Sequence, residues 1–207
     1  MQTDEHPGVV PEQPRFTRRE ACTLGIGLSA GAFLGSAPTQ ALSATPAAVR
    51  YVITDNRHPE SLAFGEVMCG RGAQRLEVTD GLTRLWCEAL LPLWQSGDGA
   101  IAGLTSQDIC TGIAEQARSW RRRPTLVGQH SISGQGRGAM HLVRGPREVV
   151  QAASALDRCG AAWPQMMGCL VVKRPAVGSR QASSPVYRSP VLTGSPAAKS
   201  LVSWIIE

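Results

Sequence analysis

The sequence predicts an α/β fold with a three-layer, mostly parallel sheet and an antiparallel hairpin at the sheet edge. Short apolar, β-branched runs alternate with helical periodicities between residues 49 and 127. The links between these segments are short, which favours right-handed crossovers and parallel strands. After residue 127 two strand-like runs flank a glycine-rich turn, which is typical of a hairpin.

The first elements follow from their apolar patterns. Residues 49–54 predict a buried strand, and Pro59 suits the first turn of the helix behind it. Residues 75–78 predict a second strand. Residues 82–93 carry one apolar stripe at helical spacing, and Asp80 stands at its N-cap position. Pro92 is expected to end or kink that helix.

The later elements are predicted in the same way. A third strand at 100–104 is followed by Thr105-Ser106-Gln107-Asp108, which resembles a capping box and precedes a helix. A fourth strand begins at residue 125, and Pro146 precedes a last helix. Residues 173–200 are rich in Ser, Pro, Ala and Gly and predict an extended, partly disordered loop. Residues 201–206 return to strand character and are expected to dock on the sheet.

This order of elements resembles Rossmann-like and flavodoxin-like architectures. The resemblance is one of pattern, because TDNRHPES follows the first strand where a dinucleotide-binding protein has GxGxxG. The P-loop pattern GxxxxGK[ST] does not occur either. Dinucleotide and P-loop functions therefore gain little support, and the sequence indicates no particular cofactor.

Composition excludes several classes of protein. Among 207 residues, 43% are hydrophobic and 18% charged, which excludes a wholly disordered chain. Apolar runs stay below the ~18–20 residues of a spanning helix, which excludes a multi-span membrane protein. The net charge is +5. We expect no nucleic-acid partner, because no known module and no basic stripe with interleaved aromatic residues is present.

Residues 1–44 have the layout of a cleavable export signal. A polar segment ends in Arg18-Arg19-Glu20, a run of 17 uncharged residues follows at 21–37, and small residues lead to Ala44. The arginine pair before a Gly-rich apolar core resembles a twin-arginine signal peptide, although Ala21-Cys22 stands where that family usually has Phe-Leu. The resemblance implies export to the periplasm in a folded state by the twin-arginine translocation machinery.

Cleavage is expected near Ser43 or Ala44 and leaves no stable membrane span. The predicted organisation is then a signal peptide at 1–44, an α/β domain at 45–172, and a tail at 173–207 that ends in a short strand. Cleavage removes three cations and four acids, so the mature net charge is +6, which favours acidic partners or anionic small molecules.

Five cysteines remain after cleavage, and their apolar surroundings favour mostly buried thiols. Cys159 and Cys169 are the pair expected to form a bridge if one exists.

A ligand pocket is predicted at the carboxyl ends of the strands, where open parallel sheets bind ligands. The side chains predicted to lie there are Asp55, Arg57, Asp80, Thr105, Ser106 and His130. Helix N-termini at this edge would favour an anionic group. The alternative is structural: Asp80, Thr105 and Ser106 are explained as helix caps, and Asp55 as the partner of Arg57.

The hairpin offers a second candidate site. A two- or four-residue loop around Gln135-Gly136 sets His130 directly opposite His141 on one face, whereas a three- or five-residue loop separates them. Two opposed imidazoles can share a metal or act as base and partner. Because two ligands fall short of a usual metal site, surface histidines on an edge hairpin are the favoured interpretation.

Three functions remain open. The favoured one is a non-catalytic exported protein, either a ligand-binding protein or an accessory protein of a larger exported enzyme, because no complete catalytic motif is present. The alternative is a hydrolase or lyase that uses His130 and Asp55, with Arg57 holding an anionic substrate. The third is an envelope-interaction protein that docks through residues 173–200.

Overall fold

Strands and helices alternate through most of the chain. The computed structural model describes residues 48–79, 82–97, 99–133, 139–174, 185–190 and 197–207. The predicted export signal with Arg18 and Arg19, and also Asp80, lie outside these residues. The described strands are β1 (Val49–Asp55), β2 (Gln74–Val78), β3 (Ala100–Thr105), β4 (Pro124–Ser133), β5 (Ala139–Arg144), β6 (Val186–Arg188) and β7 (Ala197–Ile206).

The helices predicted from the sequence begin close to the expected positions, whereas the helix at Trp163–Val172 was not predicted. The described helices are α1 (Pro59–Cys69), α2 (Leu82–Leu85), a π-helical turn (Trp86–Leu90), α3 (Leu91–Ser96), α4 (Gln107–Ser119), α5 (Arg147–Ala152), α6 (Ala155–Arg158), a 3₁₀ turn (Gly160–Ala162) and α7 (Trp163–Val172). Pro92 was expected to end or kink its helix, and the structure shows that the helix does not end there. The π-helical turn directly before it widens the helix, which relieves the clash between the proline ring and the preceding turn.

The sheet is mixed, which corrects the mostly parallel arrangement expected from the sequence. Its strand order is β2-β1-β3-β7-β4-β5-β6. The pairs of β1 with β2 and with β3 are parallel, and all other pairs are antiparallel. The reason is β7, which returns from the end of the chain and runs antiparallel between β3 and β4.

The predicted strand at 201–206 is therefore confirmed, but its place is central. Residues 197–206 pair along both of their sides, with β3 on one and β4 on the other. They belong to the same compact unit as the rest of the sheet. The domain boundary predicted at residue 173 does not separate this strand from the α/β domain.

The hairpin of β4 and β5 is confirmed, but it does not lie at the sheet edge, because β6 pairs with the outer side of β5. β4 runs without a break from Pro124 to Ser133, so the predicted fourth strand and the first strand of the hairpin are one strand.

Successive side chains of the sheet point to opposite faces, and they pack in two hydrophobic cores, one on each face. Val52 packs into the core that contains α1 and α7, whereas Ile53 packs into the core that contains α3 and α4. Trp204 of β7 lies in the second core and is fully buried. Gly103 makes room for it, since a Cβ there would lie 2.4 Å from the indole.

The described cysteines are all unpaired, and Cys159 and Cys169 form no bridge. Only Cys110 among them is buried, whereas Cys87 is exposed, so the expectation of mostly buried thiols is wrong. In the part of the chain that the structure describes, none of the helices has the length and apolar character needed to cross a bilayer.

Candidate functional site

The carboxyl end of β1 is anchored by hydrogen bonds from its neighbours. The side chain of Asp55 is fully buried, and its backbone N–H donates to Ser61 Oγ over 2.8 Å. The Ser61 hydroxyl in turn donates to the carbonyl of Leu104. The first turn of α1 therefore ties β1 to β3 and fixes the position of the Asp55 carboxylate.

Arg57 covers that carboxylate. Its Nε lies 2.9 Å from Oδ1 of Asp55 and its Nη2 lies 2.7 Å from Oδ2, so the pair is bidentate. The hydrogen bonds and charge of Arg57 lower the pKa of Asp55, and the same contacts raise the pKa of Arg57. Because the Arg57 side chain is 63% exposed, a fixed guanidinium faces outwards over a buried carboxylate.

A cleft of about 220 Å³ opens beside this pair. Its lining consists of Arg57, Val78, Thr79, Leu82, Asp108 and Ile109. The neighbouring Ser106 side chain lowers the pKa of Asp108, and the charge of Asp108 contributes to the raised pKa of Arg57. We call this site the strand-end cleft. The carboxylates of Asp55 and Asp108 lie near the single guanidinium of Arg57. The sequence predicts a preference for an anionic group, but this balance of charge makes the cleft less suited to a purely anionic ligand.

The structure brings some of the predicted site residues together. Asp55 and Arg57 meet at the strand-end cleft, and Ser106 begins α4 beside it. Thr105 has a structural role: its Oγ1 donates to the carbonyl of Ser106 and accepts from Trp204 Nε1 over 3.1 Å. Asp108 was missed as a site residue, because its place in a capping box already explained it.

His130 does not join this group. It lies within β4, three residues before the strand ends, so the expected position at a strand end is wrong. β3 and β7 separate β4 from β1 in the sheet. In addition, His130 points to the face of α7, where it stacks on Trp163 at 4.4 Å between ring centres. Asp55 follows the alternation of Ile53 and points to the opposite face.

Of the two hairpin registers that the sequence leaves open, the structure has the one that pairs the two histidines. His130 lies directly opposite His141, and their Nδ1 atoms are 2.8 Å apart. His130 Nε2 lies 2.8 Å from Ser203 Oγ of β7. We call these three side chains the His–His–Ser cluster. The expected surface location is wrong, because both histidines are buried. Trp163 packs over them, and β6 lies on the outer side of β5 in the sheet.

Burial keeps both imidazoles neutral at pH 7. It lowers the pKa of His141 to about 4, although the nearby charge of Asp157 acts in the opposite direction. Burial and the neighbouring His141 place the pKa of His130 well below its usual 6.5. A neutral imidazole carries one N–H, so each ring offers one donor and one acceptor.

Two arrangements of the protons satisfy both contacts, and one of them also gives the Ser203 hydroxyl proton an acceptor. In that arrangement the Ser203 hydroxyl donates to His130 Nε2, and His130 Nδ1–H donates to His141 Nδ1. The opposite tautomers would leave the Ser203 O–H without an acceptor among these side chains. Gly128 makes the contact sterically feasible, because a Cβ there would lie 2.5 Å from Ser203 Oγ.

The cluster has the order of nucleophile, base and orienting group, but Ser203 and His130 are fully buried, which indicates a core network. In the described residues, no group of three or more His, Cys, Asp or Glu side chains is arranged to hold a metal. The Nδ1 atoms of the two histidines are hydrogen-bonded to each other, so these atoms are not directed at a common metal position.

The chain matches no protein-family model, no curated protein and no solved structure. Only the geometry of the sites themselves therefore points to a function.

Proposed function

We propose that the chain is an exported, periplasmic α/β protein that binds a small polar molecule in the strand-end cleft without catalysing its conversion. The carrying observation is the exposed Arg57 guanidinium, which the buried Asp55 carboxylate holds in place at the mouth of the cleft. A group fixed before binding loses little freedom when a ligand arrives, which favours affinity.

The charges and walls of the cleft define the chemistry of the ligand. Arg57 pairs with Asp55 through Nε and Nη2, so Nη1 is left to donate to a ligand acceptor. Asp108 offers an acceptor for a ligand donor. Val78, Leu82 and Ile109 supply apolar contact between them. These features favour an amphoteric molecule with both an acceptor and a donor, and with a small apolar part.

Binding is favoured over catalysis because of the protonation states. The pKa of Asp55 is lowered and that of Arg57 is raised, so neither group exchanges a proton readily near pH 7. The alternative hydrolase or lyase would need His130 and Asp55 in one site, and these residues lie on different strands and opposite faces.

We also propose that the sheet and its helices form three layers. The helices and cores on both faces of the sheet support a three-layer arrangement of the Rossmann-like or flavodoxin-like kind. The antiparallel β7 in the centre of the sheet is the main departure from that pattern.

Export by the twin-arginine machinery rests on Arg18 and Arg19 and the apolar run behind them. Replacing both arginines in the variant Arg18→Lys/Arg19→Lys is expected to retain the chain in the cytoplasm at its full mass. Fractionation of cells followed by mass measurement checks this. An exported, shortened double variant would contradict the assignment.

Native mass spectrometry of the exported chain, followed by a denaturing measurement, tests ligand binding. We expect extra mass that is lost on denaturation, and we expect Arg57→Ala and Asp108→Asn to abolish it. Arg118→Ala is the matched control, because Arg118 is an exposed cation at the other end of α4. A bare wild-type chain, or extra mass that both cleft variants retain, would overturn the proposal. A second protein attached to the chain would instead favour the accessory role.

A further inference from the structure

β2 has a strand neighbour on one side only among the described residues, so it forms an edge of the sheet. It pairs with β1 over five consecutive residues without a register shift. Its sequence, QRLEV, contains no proline and no lysine. Proline, bulges and charged side chains, lysine above all, usually protect an edge from further pairing, and of these β2 has only the charges of Arg75 and Glu77. The outer side of β2 therefore offers regular backbone donors and acceptors to another strand.

The side chains of β2 are self-complementary about Leu76. In an antiparallel pair of two copies centred there, Leu76 faces Leu76, and Gln74 faces Val78. Arg75 faces Glu77 of the second copy, and the same pair recurs on the other side of the centre. Opposed residues of an antiparallel pair lie on one face of the sheet, so these charges would meet.

The environment of the two charges fits this pairing. Glu77 is exposed and takes part in no ion pair with the described residues. Arg75 is 27% exposed and already binds Glu66 of α1 at 2.6 Å, which places its guanidinium on the α1 face of the sheet. Two like charges at these positions would repel a second copy, whereas opposite charges placed symmetrically attract it.

We propose that two copies of this chain associate through β2, antiparallel and centred on Leu76, to form one continuous sheet with reciprocal Arg75–Glu77 pairs. The two-fold axis of such a dimer is perpendicular to the sheet, so both α1 helices lie on the same face. A groove of about 340 Å³ between β2 and the turn Trp86–Leu90 then lies beside the axis on the other face. The inference does not depend on the proposed ligand.

Sedimentation equilibrium of the full chain from micromolar to millimolar concentration tests the association. We expect a reversible dimer. Glu77→Arg replaces two attractive pairs by two repulsive ones and is expected to weaken association by about tenfold or more. The double variant Arg75→Glu/Glu77→Arg restores attraction and is expected to return to within about threefold of the wild type.

Two controls separate the pairing from other effects. Glu115→Arg makes the same charge change at an exposed position of α4 and should leave association unchanged. Glu66→Gln removes the existing partner of Arg75 and should have a smaller effect than Glu77→Arg.

Hydrogen exchange provides a readout without any substitution: the amides of β2 should become more protected as the concentration rises. A chain that stays monomeric throughout would overturn the proposal. A dimer that Glu77→Arg does not weaken, or a double variant that fails to recover, would also overturn it.

Discussion

Acidification should destabilise the folded chain through the buried histidines of the His–His–Ser cluster. Burial lowers the pKa of His130 and of His141 from the ordinary value of 6.5. Below pH 6.5 the unfolded chain therefore binds protons that the folded chain does not bind. The free energy of unfolding must then fall as the pH falls from 6.5 towards the folded-state values.

The size of the effect follows from His141. A shift of its pKa from 6.5 to about 4 corresponds to about 3 kcal/mol of stability, which is present at pH 7 and lost by pH 4. His130 adds to the loss with the same sign. Small domains are stable by roughly 5–15 kcal/mol, so this loss is a large share of the total.

Urea unfolding at pH values from 7.5 down to 4.5, followed by tryptophan fluorescence, measures this loss. His141→Gln is expected to reduce the slope of stability against pH in this window, whatever it does to stability at pH 7. Asp55 and Asp108 hardly change the stability in this pH range. Their pKa values lie below 3.8, so their contribution to the free energy of unfolding is lost only at lower pH. A wild-type stability that stays constant between pH 6.5 and 4.5 would refute the reasoning.

Further predictions concern packing and accessibility. Gly128→Ala should lower the free energy of unfolding by about 1–3 kcal/mol, because its Cβ collides with Ser203 Oγ. Gly70→Ala is the control, since the nearest atom there lies 3.4 Å away; urea melts compare the two, and equal stabilities would contradict the clash. Deleting residues 201–207 should abolish cooperative unfolding, because it removes the central strand; a folded truncated chain by circular dichroism would contradict the topology. Thiol labelling should modify Cys87 fast and Cys110 only after unfolding, since Cys110 is buried and its pKa is raised to about 11; equal rates would contradict this.

Local features could be predicted well from the sequence. Asp55 and Arg57 are two residues apart in the turn after β1, so their pairing needs only local geometry. The alignment of His130 with His141 depends on the parity of the hairpin loop, and the spacing around Gln135-Gly136 reduces the choice to two registers. Such features depend on a few neighbouring residues and not on distant contacts.

Long-range features could not be predicted in this way. The strand character of residues 201–206 is clear, but its insertion between β3 and β4 depends on partners about a hundred and about seventy residues away. The burial of His130 depends on β7 and on Trp163, which later parts of the chain supply. The sequence pattern also placed His130 at a strand end, because an internal hydrogen-bond network is invisible in a local pattern.

The proposed binding of a small amphoteric molecule in the strand-end cleft can be measured directly. The most direct measurement is two-dimensional amide NMR of the full chain, titrated with a panel of small molecules that carry both a carboxylate and an amine or hydroxyl. We expect at least one member to shift the amides of Arg57, Thr79 and Ile109, and we expect Arg57→Ala to remove those shifts. Shifts that cluster elsewhere, or a panel that leaves these amides unchanged at millimolar concentration, would contradict it.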